Sequence, residues 1–261
     1  MKKLLLIIVI VGLVTSCSSK TLSLESKSIV KEEVALRDVY NIYLPFALNK
    51  SVSSIRVSGV GGTNVEQLDY NFEIFNENIS KKDDYYVYGL MLNIYNASSN
   101  GEFIIDELAL VLDGENYYLP LDQVEMKRVS NYEQSLDYLK FIGSPVTAYD
   151  YSTPLIWEIE VLKDVKISKL LLTNSQLKIQ DIELNGESIH LEQADLEFKK
   201  GSFLKMEINI QPNSKKLENF ILGTDLVVEF KDQLTNKDYF IMSPIITRIY
   251  GSGDALEYYL K

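Results

Sequence analysis

Phe203-Leu204-Lys205-Met206-Glu207-Ile208-Asn209-Ile210 alternates throughout: Leu204, Met206, Ile208 and Ile210 fall on one side, Phe203, Lys205, Glu207 and Asn209 on the other. Successive side chains of a β-strand point to opposite faces, so this run reads as a strand with one buried face. Leu155–Val161 repeats the pattern, with Leu155, Trp157, Ile159 and Val161 inward and Glu158 and Glu160 outward. Val165, Ile167 and Leu170-Leu171-Leu172 continue it, and Tyr85–Tyr95, apolar on both faces, predicts an inner strand.

Turn chemistry separates these runs. Asp113-Gly114 and Asn185-Gly186 accept the positive φ angles that a tight hairpin requires. Lys200-Gly201 and Asp232–Lys237 predict two more hairpin ends. Gly59-Val60-Gly61-Gly62 also reads as a turn, since neither a helix nor a Lys-Ser/Thr pair follows to make a phosphate loop. Ser130-Asn131-Tyr132-Glu133 has the capping-box form, with Tyr132, Leu136 and Leu139 at helical spacing after it. A shorter helix is expected over residues 214–222.

These elements predict an all-β protein of two tandem β-sandwich domains, residues 31–126 and 154–261, with residues 127–153 as a connection carrying the short helix. Ile105–Leu119 and Ile179–Leu191 echo each other around their Asx-Gly turns, either as a duplicated unit or as two ordinary acidic hairpins.

The chain opens Met1-Lys2-Lys3, then runs apolar from Leu4 to Val14 with Gly12 the one interruption. A basic head, a short apolar run and small residues form the plan of a secretory leader, too short for a lasting bilayer span. Val14-Thr15-Ser16-Cys17 resembles the lipobox of bacterial lipoproteins. That resemblance implies that a leader helix over residues 1–16 is removed, that Cys17 carries the lipid, and that the protein is held extracytoplasmically, at an outer membrane, its periplasmic face or the cell surface. Ser-rich residues 17–30 are expected to be a flexible tether. The strand order in this exported setting also resembles the Ig-like sandwich domains of bacterial surface proteins, by architecture and without a Cys–Trp–Cys framework.

Cys17 is the one cysteine, which excludes a disulfide framework and thiol catalysis in the folded part. A formal net charge of −11 speaks against nucleic acid and against peripheral binding to anionic lipid.

His190 alternates with Ile189 and Leu191 and reads as a solvated surface residue with Ser188 and Glu192, because no nucleophile elbow surrounds any serine. Glu158 and Glu160, two residues apart on one strand face, have about the 6–7 Å spacing of a glycosidase pair, which any acidic strand also gives. Asp113-Gly114-Glu115 and Asp83-Asp84 match no calcium loop, and neither a metal nor a cofactor is assigned. Tyrosine is abundant, 17 against one Trp, and supplies surfaces with an apolar ring and a polar tip. Tyr149 and Tyr151, between Pro145 and Pro154, are the expected ligand-binding pair. The functional expectation is a non-enzymatic, lipid-anchored binding or scaffold protein for an envelope or extracellular protein or glycan. A glycan-binding surface lipoprotein and a hydrolase using Glu158 and Glu160 are the alternatives.

Overall fold

The computed structural model describes residues 24–25, 30–82, 85–95, 97, 101–142, 147–149, 154–189, 196–219 and 221–247. The leader, Cys17, Tyr151 and His190 lie outside the described residues. What is described is built almost wholly from strands, as the alternation predicts.

In the first half, β1 (Leu24–Glu25), β3 (Val39–Leu48), β5 (Asp69–Lys82) and β6 (Tyr85–Tyr95) form one sheet in the order β1-β3-β6-β5. It faces β2 (Val30–Ala35), β4 (Ile55–Thr63), β7 (Phe103–Leu112) and β8 (Glu115–Lys127), ordered β2-β8-β7-β4. The apolar sides of both sheets, from Ile42 and Leu92 to Leu108 and Val124, make one core. As its sequence requires, β6 is an inner strand, paired with β3 on one side and β5 on the other.

The second half repeats the arrangement. β10 (Leu139–Ile142), β12 (Leu155–Val161), β14 (Leu177–Leu184), β15 (Glu187–Ile189) and β17 (Phe203–Pro212) form a sheet in the order β10-β12-β17-β14-β15. Opposite it stand β11 (Thr147–Tyr149), β13 (Val165–Leu172), β16 (Leu196–Phe198), β18 (Ile221–Asp232) and β19 (Asp238–Thr247). Trp157 sits across from Met206 and Ile159 from Leu204, so the inward halves of the two runs that open the sequence argument meet in a second core. Burying each such side chain contributes about 1.5–3 kcal/mol.

The hairpins follow their turn residues. Asp113 and Gly114 (φ 49° and 90°) close β7 onto β8, and Asn185 and Gly186 (φ 53° and 85°) close β14 onto β15. Residues 59–62 are the exception, because they lie within β4 rather than in a turn. Two bulges against β7 kink the strand there, and Gly62 is needed at the second: a Cβ would stand 1.9 Å from the Ile104 carbonyl oxygen.

The helix expected after Ser130 does not form. β9 (Glu133–Gln134) pairs with β19, and β10 follows at Leu139. The capping-box side chains have other partners: Ser130 Oγ accepts from the Tyr132 amide at 3.2 Å and donates to Glu229 at 3.0 Å, while Glu133 takes Lys237 at 2.7 Å. Tyr138 is buried and stacks on Tyr239 with ring centroids 4.7 Å apart, a tertiary contact that outweighs the local helix signal. In the second expected helix, Lys215–Asn219 forms one 3-10 turn and Ile221 is already strand.

The joint between the halves also differs from a linker. One edge of β2 pairs in parallel with β8, Glu32 opposite Val124, and the other pairs in parallel with β18, Glu32 opposite Gly223. A continuous sheet therefore crosses from one core to the other through β2. Within the stretch 17–30, Leu24 and Glu25 pair with Leu48 and Ala47.

Candidate functional site

The densest buried polar cluster lies where β2 joins the two halves. Glu32 is 2% exposed although its strand is rich in charge. Its carboxylate packs on Gly223, where a Cβ would come within 2.7 Å of Glu32 Cγ and Cδ, so the glycine makes the space the acid occupies. The Tyr40 hydroxyl donates to Glu32 Oε2. Burial pushes the Glu32 carboxyl up to about 7, against the opposing pull of Tyr40 and Arg37 and with a further rise from Asp225. Tyr40 itself is driven well above the ordinary phenol range by burial and by the facing Glu32. The Arg37 guanidinium lies over the Tyr40 ring, 4.6 Å from its centroid.

Asp225 forms the other side. Its Oδ2 accepts from the Ala35 amide at 2.6 Å and from Arg37 Nη2 at 3.1 Å, tying β2 and the turn after it to β18. Burial raises its carboxyl above the usual range, and Arg37 and the Ala35 amide oppose the rise. Among the described residues, Asp225 Oδ1 and Arg37 Nε have no hydrogen-bond partner.

Thr173, Asn174 and Ser175, just past the end of β13, complete the joint. Thr173 Oγ1 donates to the Glu33 carbonyl at 2.5 Å and accepts from the Asp225 amide at 2.7 Å. Asn174 Nδ2 donates to the carbonyls of Lys31 (3.1 Å) and Gly223 (2.9 Å), bridging β2 and β18 where they run side by side. The Glu33 carboxylate receives Ser175 Oγ at 2.8 Å, the Ser175 amide at 3.0 Å and Lys127 Nζ at 2.8 Å. Partial burial raises Glu33, but these donors outweigh it and hold the carboxyl below its ordinary range.

A shallow cleft of about 50 Å³ opens beside this cluster, lined by Lys31, Glu32, Glu33, Asp122, Gln123 and Gln176. Gln123 has φ 142°, a conformation L-residues rarely adopt, within β8 at the register shift against β7 and next to Val124, which pairs with β2. The chemical capacity of the whole is that of a clamp. Most of its polar atoms are engaged with one another across the joint, and its acid with a near-neutral pKa is enclosed by Tyr40 and Gly223.

The residues singled out from the sequence lie elsewhere. Tyr149 belongs to β11, opposite Thr247, and its side chain is outside the described residues, as are Tyr151 and Cys17. Glu158 and Glu160 sit on the outer side of β12 in a ladder of charge: Lys205 stands across from Glu158, and Lys140 across from Glu160. Asp113 Oδ1 is taken by the amides of Ser53 and Ser54, each at 2.9 Å, and serves as a loop cap. Among the described residues no group of three or more His, Cys, Asp or Glu is placed to hold a metal ion. Sequence reasoning did not single out Glu32, Arg37, Tyr40, Thr173, Asn174 or Asp225. One signal was available: Asp225 directly precedes the apolar run Leu226-Val227-Val228.

No family model matches the chain, and no curated protein matches it. Among solved structures it is similar to a protein of unknown function from Porphyromonas gingivalis, with 12% identity and a TM-score of 0.29 over 87% of this chain and 99% of that one. It is also similar to the CupB6 tip adhesin from Pseudomonas aeruginosa, with 9% identity and a TM-score of 0.27 over 85% of this chain and 93% of that one. The YadV chaperone gives 9% identity and a TM-score of 0.23 over 85% of this chain and 98% of that one. Likenesses at this level carry no argument about what the chain does.

Proposed function

We propose that this protein is an exported envelope lipoprotein, anchored through Cys17, whose two Ig-like β-sandwich units act as a non-enzymatic binding or scaffold body for an envelope or extracellular macromolecule. The observation that carries the scaffold reading is the joint. Where a hinge would need a loose, solvated linker, β2 shares backbone pairing with both halves. Around it, Asp225, Arg37, Thr173 and Asn174 are engaged in holding the halves together. Such a joint suits a body that presents surfaces at a fixed spacing better than one that closes on a substrate. The lipobox sequence Val14–Cys17 supports the anchor.

Fractionation tests the anchor. Wild-type protein should sediment with membranes and float with them in a gradient, while Cys17→Ala should be released or accumulate as uncut precursor. Identical mass and fractionation of the two forms would overturn it. Crosslinking in intact cells tests the scaffold part, and a partner whose crosslinks vanish when the exposed charges of one sandwich are reversed would support it.

A further inference from the structure

Leu24 and Glu25, the first residues of the chain that the structure describes, place its amino-terminal part at one pole of the first sandwich. β1 pairs with the last residues of β3, Leu24 opposite Leu48 and Glu25 opposite Ala47. That end of β3 is the pole of the first sandwich farthest from the joint. Its opposite end, Val39, follows directly on the turn after β2. The loop between β3 and β4 and the β7–β8 hairpin meet at the same pole, where the Asp113 amide donates to the Ser54 carbonyl at 3.1 Å. Between Cys17 and Leu24 run seven peptide steps, and a chain spans at most about 3.6 Å per residue, so the leash reaches at most about 25 Å.

The other pole is far away. β8 runs back from Val124, level with Glu32, to Glu115, and β18 runs forward from Gly223, on the same level, to Asp232. At about 3.3 Å per residue the two runs together measure about 60 Å along the strands. More than twice the leash length therefore separates the poles.

The geometry points to a standing orientation: the pole of the first sandwich formed by the 49–54 loop and the Asp113-Gly114 hairpin faces the lipid surface, and the Asp232–Lys237 hairpin of the second sandwich projects away from it. This inference rests on lipidation of Cys17. Among the described residues, Lys50, Ser51, Ser53, Ser54, Asp113 and Glu115 are exposed at the near pole and polar. They suit apposition to headgroups and offer nothing to insert among acyl chains.

The test uses the full-length lipidated protein in phosphatidylcholine vesicles that carry an energy-transfer acceptor on the headgroup. Cys17 is the only native cysteine and is blocked by its lipid, so Lys50→Cys and Leu234→Cys each give a single free thiol for a donor dye. Leu234 is 92% exposed at the tip of the far hairpin, so labelling there disturbs no packing. Transfer from position 50 should exceed that from position 234 several-fold, and a Gly-Ser insert that doubles the leash between Cys17 and Leu24 should reduce it. Equal or inverted efficiencies in protein that floats with the vesicles would overturn the orientation and leave the anchor standing. Protein that fails to float would overturn the anchor and the orientation with it.

Discussion

Replacing Glu32 by Gln should remove most of a fall in stability that the wild-type protein shows from mildly acidic to neutral pH. Glu32 ionises near 4.5 in an unfolded chain and near 7 when buried between Tyr40 and Gly223. Between those values the folded protein holds a proton that the unfolded chain has released. Unfolding therefore becomes easier as pH rises through this window, and above about 7 the loss is complete. A displacement of this size corresponds to about 3 kcal/mol at 1.36 kcal/mol per unit. For a body of this length that is roughly 6–12 °C in Tm. Asp225, also raised by burial, adds loss in the same direction. Glu33, held low, acts oppositely: its contribution is present above its unfolded pKa and disappears as pH falls below it, outside the window. Gln keeps the shape of Glu and still accepts from the Tyr40 hydroxyl, so the variant should fold. Urea unfolding of the soluble, unlipidated protein at pH 5, 6, 7 and 8 provides the measurement. Wild type should lose about 3 kcal/mol relative to Glu32→Gln across the series, and parallel profiles would refute the reasoning.

Gly223→Ala should cost about 1–3 kcal/mol by overpacking, because its Cβ would meet Glu32. A double-mutant cycle with Glu32→Ala should recover much of that loss by chemical denaturation. Asn174→Ala leaves the Lys31 and Gly223 carbonyls without their side-chain donor and should destabilise by about 1–3 kcal/mol. If the joint holds as described, amide hydrogen exchange in that variant should speed up along β2 before it does in β6 or β17. Gly62→Ala drives a methyl into the Ile104 carbonyl and should cost about 2 kcal/mol or more in thermal melts.

Local chemistry was readable wherever it decided local structure. Asp113-Gly114 and Asn185-Gly186 adopt the positive φ angles their sequences allow, and the alternation in Leu155–Val161 and Phe203–Ile210 gives the observed burial. The capping box at Ser130 misled because it is a local preference worth about 1 kcal/mol, while Tyr138, Glu133 and Ser130 each find partners about a hundred residues away. The clamp was illegible for a related reason. Ala35 and Asp225 lie 190 positions apart, and nothing in the spacing of either segment marks them as neighbours. The short β1 left a faint trace, since Leu22 and Leu24 alternate with Thr21, Ser23 and Glu25 inside a stretch whose composition reads as linker.

The place of β2 also imposes an order of events on biogenesis. Along the chain β2 comes well before Ile221–Gly223, the segment that fills one of its edges. Until the carboxyl-terminal hairpin arrives, that edge presents bare amides and carbonyls that any passing strand can capture. A nascent or clipped molecule ending before residue 221 would keep this adhesive edge permanently. Pairing with β18 closes that edge, and copies clipped before residue 221 should self-associate more readily than the unclipped chain.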